Sequence, residues 1–341
     1  MNLKDLIRPN IAALSPYSTA RDDYSGGDIS VWLDANESPF DNGANRYPDP
    51  HQKELKGMIA RIKGVKPEQV FIGNGSDEAI DLAFRVFCRP GRDNAVSIAP
   101  TYGMYSVAAA INDVELREVQ LNPDFTLSSQ RLLEAADANT KLMWVCSPNN
   151  PTGNAFPLPQ LEELADSFGG ILVVDEAYSD FSDRGSLLSM LDKHPNLIVL
   201  QTLSKAWGMA NLRLGLAFAS PEIAAVMAKV KYPYNVSGLV QREVAKRLNE
   251  GADVQIEKIK AERERLRREL PKCAAVQEVF PTDANFFLIR TDNADSLYNK
   301  LSDSGIMVRN RSRIHGCEGC LRITIGTEEE NTRLLQMLSE E

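Results

Sequence analysis

Lys205 lies in the stretch TLSKAWGMANLRLG, residues 202–215, directly after the apolar run LIVL at 197–200. Lysine is ordinarily a solvated residue, and this one stands among Leu, Trp, Met and Ala. One reading is a side chain that runs along the apolar surface and delivers its amine to water. The other is an amine held away from water. Desolvation disfavours its charged form and leaves a nucleophile able to attack a carbonyl. Thr202, Ser204 and Arg213 flank it. Hydroxyls and a guanidinium are groups that hold a phosphate.

Other apolar runs end in polar residues of the same kind. VFI is followed by Gly73-Asn74-Gly75-Ser76-Asp77-Glu78, SIA by Pro100-Thr101-Tyr102, and MWVC by Asn149-Asn150-Pro151-Thr152-Gly153. LVV is followed by Asp175 and Tyr178. Taken singly, each has a plain structural reading: a helix cap at Gly75 and Ser76, a turn at 149–153, a cap at Asp175. Gly75 and Ser76 at a helix start would also offer free N–H groups to a phosphate. The segment is close to G-x-G-x-x-G, but its sixth position is Glu78, so the dinucleotide fingerprint fails.

Strands and helices must bring these residues together. After an irregular first 50 residues, rich in Pro and Gly, short Val-, Ile- and Leu-rich runs alternate with helical patterns such as 158–168. Continuous apolar runs fit strands buried on both faces, and the alternation predicts an α/β fold with a mostly parallel central sheet flanked by helices. In such sheets ligands bind beyond the carboxyl ends of the strands. A composition shift follows Pro233. The spacing predicts one long charged helix over about 241–270, then a small α+β unit built from NFFLIR, a helix near 294–304, GIMVRN and CLRITIG. The expected division is an arm over 1–34, packing on the small domain or on a partner subunit, a large domain over 35–238 and a small C-terminal domain over 239–341.

Composition narrows the function classes. The chain has 341 residues and a formal net charge of −9. That field disfavours nucleic acid, since no strong basic patch offsets it. No apolar run approaches the roughly 18 residues of a membrane span, and the start lacks a signal-peptide core, so a cytoplasmic protein is expected. Five cysteines, an odd count, argue against a disulfide framework. Cys317 and Cys320 form one CxxC pair near His315, with no second pair to complete a zinc site, and no metal is expected. His51, His194 and His315 show no partner pattern.

Together the strand ends match the demands of pyridoxal 5′-phosphate: an amine for its aldehyde, a carboxylate for its ring nitrogen, and groups for its phosphate. The spacing of Asn150-Pro151-Thr152-Gly153, DEAY at 175–178 and SKAWGMANLRLG at 204–215 resembles the fold-type I, aspartate-aminotransferase-like enzymes that use this cofactor. SPY at 15–17, LDANESP at 33–39, NRYPDP at 45–50, RN at 309–310 and GCLRITIG at 319–326 resemble the histidinol-phosphate aminotransferases within that superfamily.

The resemblance implies a role for each matched position. Lys205 would be the Schiff-base lysine and proton carrier. Asp175 would meet the pyridine nitrogen, Asn150 and Tyr178 the phenolic oxygen, and Tyr102 the ring face. Gly75, Ser76, Asp77, Thr202, Ser204 and Arg213 would form the phosphate cup. Tyr47 would reach that phosphate from a neighbouring subunit, which implies a homodimer with shared sites. Tyr17, Asn36, Arg309 and Arg322 would face the substrate, a phosphorylated amine in one half-reaction and glutamate in the other. An aromatic aminotransferase or a threonine-phosphate decarboxylase of the same branch remains an alternative. A non-enzymatic regulator binding the same cofactor is disfavoured, since no spare basic N-terminal segment is seen. A dehydrogenase is disfavoured by the failed glycine fingerprint.

Overall fold

The computed structural model describes residues 3–19 and 29–339. The part of the expected arm at 1–2 and 20–28 lies outside the described residues. In chain order the elements are α1 (Pro9–Ala12), α2 (Lys53–Lys63), β1 (Val70–Asn74), α3 (Ser76–Phe87), β2 (Asn94–Ala99), α4 (Met104–Ile111), β3 (Glu115–Gln120) and α5 (Ser129–Glu134). Next come β4 (Thr140–Cys146), α6 (Leu158–Ser167), β5 (Ile171–Asp175), β6 (Leu197–Thr202), β7 (Leu214–Ala219), α7 (Pro221–Val230), α8 (Gly238–Glu250) and α9 (Asp253–Glu269). The chain closes with β8 (Glu278–Val279), β9 (Phe286–Arg290), α10 (Ala294–Asp303), β10 (Arg309–Asn310), β11 (Cys320–Thr324) and α11 (Glu328–Ser339).

Seven strands form one sheet in the order β1-β7-β6-β5-β4-β2-β3. The pairs β2–β3, β2–β4, β4–β5 and β5–β6 are parallel, whereas β7 runs antiparallel to both β1 and β6. The expected α/β architecture with a mostly parallel sheet is present. The carboxyl ends of β1, β2, β4, β5 and β6 therefore share one edge, where β7 begins just after Arg213. Strand alternation splits the core in two. Val96, Met143, Val145, Leu172 and Val174 pack on one face. Ala95, Leu142, Trp144, Ile171 and Val173 pack on the other, under α3, α4 and α7. Strands wrapped on both sides need no polar face, which is why these runs are continuously apolar.

The second sheet is antiparallel, in the order β10-β11-β9-β8. Leu321, Ile323, Phe287 and Ile289 on one face pack with Leu266, Leu301 and Leu334 of α9, α10 and α11. Leu288, Cys317 and Cys320 instead join the core of the large sheet. The CxxC pair is thus packing between the two bodies, and all five cysteines are free.

Three expectations differ from the structure. The charged stretch is two helices, α8 and α9, because Gly251 takes a left-handed φ of +77° between them. GIMVRN supplies only the two-residue β10. The start of the arm lies on the large body of its own chain: Arg8 N–H donates to Val86 O at 3.0 Å, and Ile11 joins the core beneath α3 and α7.

Candidate active site

A cavity of about 570 Å³ opens where the strand ends of the large sheet face β10 and β11. Ser76, Asp77, Tyr102, Asn150, Asp175, Tyr178, Thr202, Ser204, Lys205, Arg213, Arg309 and Arg322 all line it. Residues far apart in the chain meet there because five strands end along one edge.

Asp175 closes β5 and is buried. Its Oδ2 accepts from Tyr105 Oη at 2.7 Å and its Oδ1 from Ala177 N–H at 3.0 Å. Burial nevertheless pushes its pKa up, outweighing those two donors. No cation is in ion-pair contact with it among the described residues. Lys205 lies on the loop after β6 and lines the cavity, its Nζ 5.7 Å from the centre of the Tyr178 ring. Burial is the main cause that holds its amine below the usual lysine range, and the Arg322 charge adds to it. Tyr178 packs edge-on against Phe286, with ring centres 5.2 Å apart, and its hydroxyl accepts from Asn150 Nδ2 at 3.4 Å. Asn150 Oδ1 in turn accepts from Arg322 Nη1 at 2.5 Å. One amide therefore links the two sheets.

The N-terminus of α3 has no side-chain cap. Its N-cap is Gly75 at φ +76°, whose N–H donates to Arg213 O at 2.7 Å. A Cβ at Gly75 would lie 2.6 Å from Arg213 Nη2, and one at Gly215 would lie 2.0 Å from Ser76 N. Glycine at both positions lets the backbone and the guanidinium close on the helix end. Arg213 Nη2 reaches Asp77 Oδ2 at 3.5 Å, and Tyr102 Oη donates to Asp77 Oδ1 at 3.1 Å. Burial, followed by the Asp77 charge, pushes the Tyr102 phenol up.

These features fit pyridoxal 5′-phosphate. An uncapped helix end beside an arginine and two hydroxyls suits a phosphate. A buried carboxylate without a cation suits a ring nitrogen that carries a proton. An amine kept below its ordinary range suits an aldehyde.

Not every expected residue reaches this cavity. Tyr47 stacks on Tyr234 at 4.4 Å and, with Asn36, lines a separate cavity beside Arg242. Tyr17 is 74% exposed. Within one chain these three do not join Lys205. Two further residues that bear on the site were not singled out in the sequence: Arg311 lines the cavity, and Tyr105 lies buried behind Asp175. Tyr105, in the first turn of α4, is the donor to Asp175; its signal was TYGMY, where a second tyrosine follows Tyr102 by three positions. Arg311 lines the wall beside Arg309 and Arg322; its signal was RNRSR, where arginine recurs at alternate positions.

Among the described residues no group of three or more His, Cys, Asp or Glu side chains could hold a metal ion. Nor is any helix long and apolar enough to cross a membrane.

A family profile described as "Aminotransferase class I and II" matches residues 20–338. A histidinol-phosphate aminotransferase of Bacteroides fragilis is 52% identical over 338 residues, which is 98% of this chain and 98% of that protein. One of Parabacteroides distasonis is 52% identical over 339 residues, 99% of this chain and 98% of that protein. Among solved structures, a histidinol-phosphate aminotransferase of Sinorhizobium meliloti in complex with pyridoxal-5′-phosphate superposes with a TM-score of 0.79 at 25% identity, covering 86% of this chain and 82% of that one.

Proposed function

Because the chain belongs to the class I and II aminotransferase family, we propose that it is the histidine-biosynthetic enzyme that interconverts L-histidinol phosphate and 2-oxoglutarate with imidazole-acetol phosphate and glutamate. The observation that carries this reading is one cavity. It holds a buried carboxylate, a lowered lysine and an uncapped helix end on one side, and arginines without carboxylate partners on the other.

Pyridoxal 5′-phosphate is the cofactor; when bound, it supplies an aldehyde and a ring that withdraws electrons from the carbon losing its proton. The residues of this chain do the rest. Asp175 would hold the ring nitrogen in its protonated form, and Tyr105 and the Ala177 N–H keep the carboxylate aimed. Asn150 and Tyr178 would donate to the phenolic oxygen. Tyr102 would cover the ring face. The N–H groups of Ser76 and Asp77, released by the turn at Gly75, would bind the phosphate with Thr202, Ser204 and Arg213. Lys205 Nζ, its pKa lowered by desolvation, would take the proton from the amine-bearing carbon of the substrate.

Arg309 and Arg322 would bind the substrate's phosphate in one half-reaction and glutamate's carboxylates in the other. A guanidinium fork suits both anions. Tyr47 would act in the site of a second copy, with Tyr17 and Asn36 completing the substrate side. This makes the functional unit a homodimer. Small-molecule substrates and a cytoplasmic setting belong to the same reading, as does the division into 1–34, 35–238 and 239–341.

The test is a panel of amino donors with 2-oxoglutarate. Histidinol phosphate should give glutamate far faster than histidinol or phenylalanine. Equal turnover of phenylalanine would make the protein an aromatic aminotransferase, and release of CO₂ from threonine phosphate would make it a decarboxylase.

A further inference from the structure

The wall that faces Lys205 holds one more cation than the expected pair. Arg309 of β10 is directly opposite Arg322 of β11 across the strand pair, and pairing continues as Arg311 N–H donates to Cys320 O at 2.9 Å. Side chains two apart on a strand share a face, and so do directly opposed residues. Arg309 and Arg322 therefore stand on one face of the β10–β11 pair, Arg311 follows just past the end of β10 in continued register, and all three line the cavity.

Like charges set side by side repel, and a buried cation without a partner is costly. None of the three is in an ion pair with a carboxylate among the described residues. Among the described residues Arg322 has one hydrogen-bond partner, Asn150. Its Nε and that of Arg311 are buried with no hydrogen-bond partner. Elsewhere in the same sheet the ordinary solution is seen: Arg290 meets Glu278 at 3.1 Å. Burial, with the charges of Arg322 and Arg309, holds the Arg311 guanidinium below its usual range. Such a cluster is relieved by an anion of more than one charge. A phosphate monoester carries about −1.5 to −2 at neutral pH and three acceptor oxygens. A carboxylate carries one charge and two oxygens.

We propose that Arg311 is a specificity-determining residue: it adds a third guanidinium for the substrate's phosphate and is dispensable for glutamate. The inference rests on the phosphorylated-amine reading above and divides its binding site. Arg322, tied to Asn150 beside Tyr178, serves both substrates. Arg311 serves the dianion.

The experiment uses the loaded enzyme with Arg311→Gln and Arg311→Lys. Single-turnover rates are measured for histidinol phosphate, histidinol and glutamate. A calorimetric titration with imidazole-acetol phosphate gives binding without turnover. Loss of a charge-assisted contact predicts a fall on the order of 30-fold in kcat/KM for histidinol phosphate in Arg311→Gln, chiefly through KM. Affinity for imidazole-acetol phosphate should weaken in parallel. Histidinol and glutamate should stay within about 3-fold, which also shows that the variant is folded, and Arg311→Lys should recover part of the loss. Equal losses for all three amines would make Arg311 a structural residue. If the native enzyme prefers histidinol phosphate over histidinol and Arg311→Gln keeps that preference, the inference on Arg311 fails alone. If the native enzyme shows no preference, the substrate reading fails first.

Discussion

The carboxylate of Asp175 is buried, and burial raises its pKa, so the folded chain holds the charged form at a cost until a cation meets it. A raised folded pKa means stability that is full below the unfolded value and lost as pH rises through the folded one. Raising the pH therefore costs the cofactor-free protein stability through this group. Asp175→Asn, which cannot ionise, should gain in melting temperature relative to the native chain as pH rises when both lack cofactor, and the difference should shrink on acidification. The same variant should bind the cofactor more weakly. Its turnover should fall by several orders of magnitude, each tenfold being about 1.4 kcal/mol of barrier. Melting curves at two pH values and a cofactor titration check this; a variant that melts well below the native chain and keeps its turnover contradicts it. Lys205, Asp175 and Asn150 were legible in the sequence because each follows an apolar run that fixes its place at a strand end. Tyr105 was not, because nothing local marks which aromatic of TYGMY reaches a carboxylate 70 positions away.

The close contact between β7 and the start of α3 shapes the end of the site proposed to hold the phosphate. A Cβ at Gly215 would meet backbone, with Ser76 N at 2.0 Å and Gly75 C at 2.2 Å, and backbone cannot swing aside as a side chain can. Gly215→Ala should thus cost roughly 1–3 kcal/mol of stability by overpacking and should push the helix end out of place. Thermal unfolding and cofactor affinity should both drop; a variant unchanged in both would show that the contact relaxes freely. Element types in the large sheet were readable from continuous apolar runs. Edge strand β3 was not, since ELREVQ carries charges on a strand that is paired on one side only. The break between α8 and α9 hides in a charged stretch whose periodicity barely changes, and its one signal is Gly251. Val244 and Leu248 of α8 pack in the large-sheet core, while the packing of α9 through Leu266 belongs to the second sheet.

At the scale of the whole molecule, one chain leaves Tyr47, Asn36 and Tyr17 away from Lys205. Large apolar side chains nearby in sequence are open to solvent, Leu33 at 87% and Phe40 at 81%. In the homodimer proposed above, a second copy that covers these side chains and offers its own Tyr47 would complete each site. Mixing a Tyr47→Phe chain with a Lys205→Ala chain should then restore activity, because one site of each mixed dimer carries neither change. A monomer in sedimentation, or no recovery from two impaired parents, contradicts the shared site. This level was legible only through the resemblance of SPY, LDANESP and NRYPDP to a family; no periodicity in the chain states which surface meets a copy of itself.

The account turns on Lys205 as the amine that meets the cofactor's aldehyde. Borohydride treatment of the loaded protein, followed by peptide mapping, tests that most directly. One cofactor-derived mass per chain is expected on the peptide that contains Lys205, with loss of that label in Lys205→Ala. A label on another lysine, or a protein that takes up no pyridoxal 5′-phosphate, would contradict it.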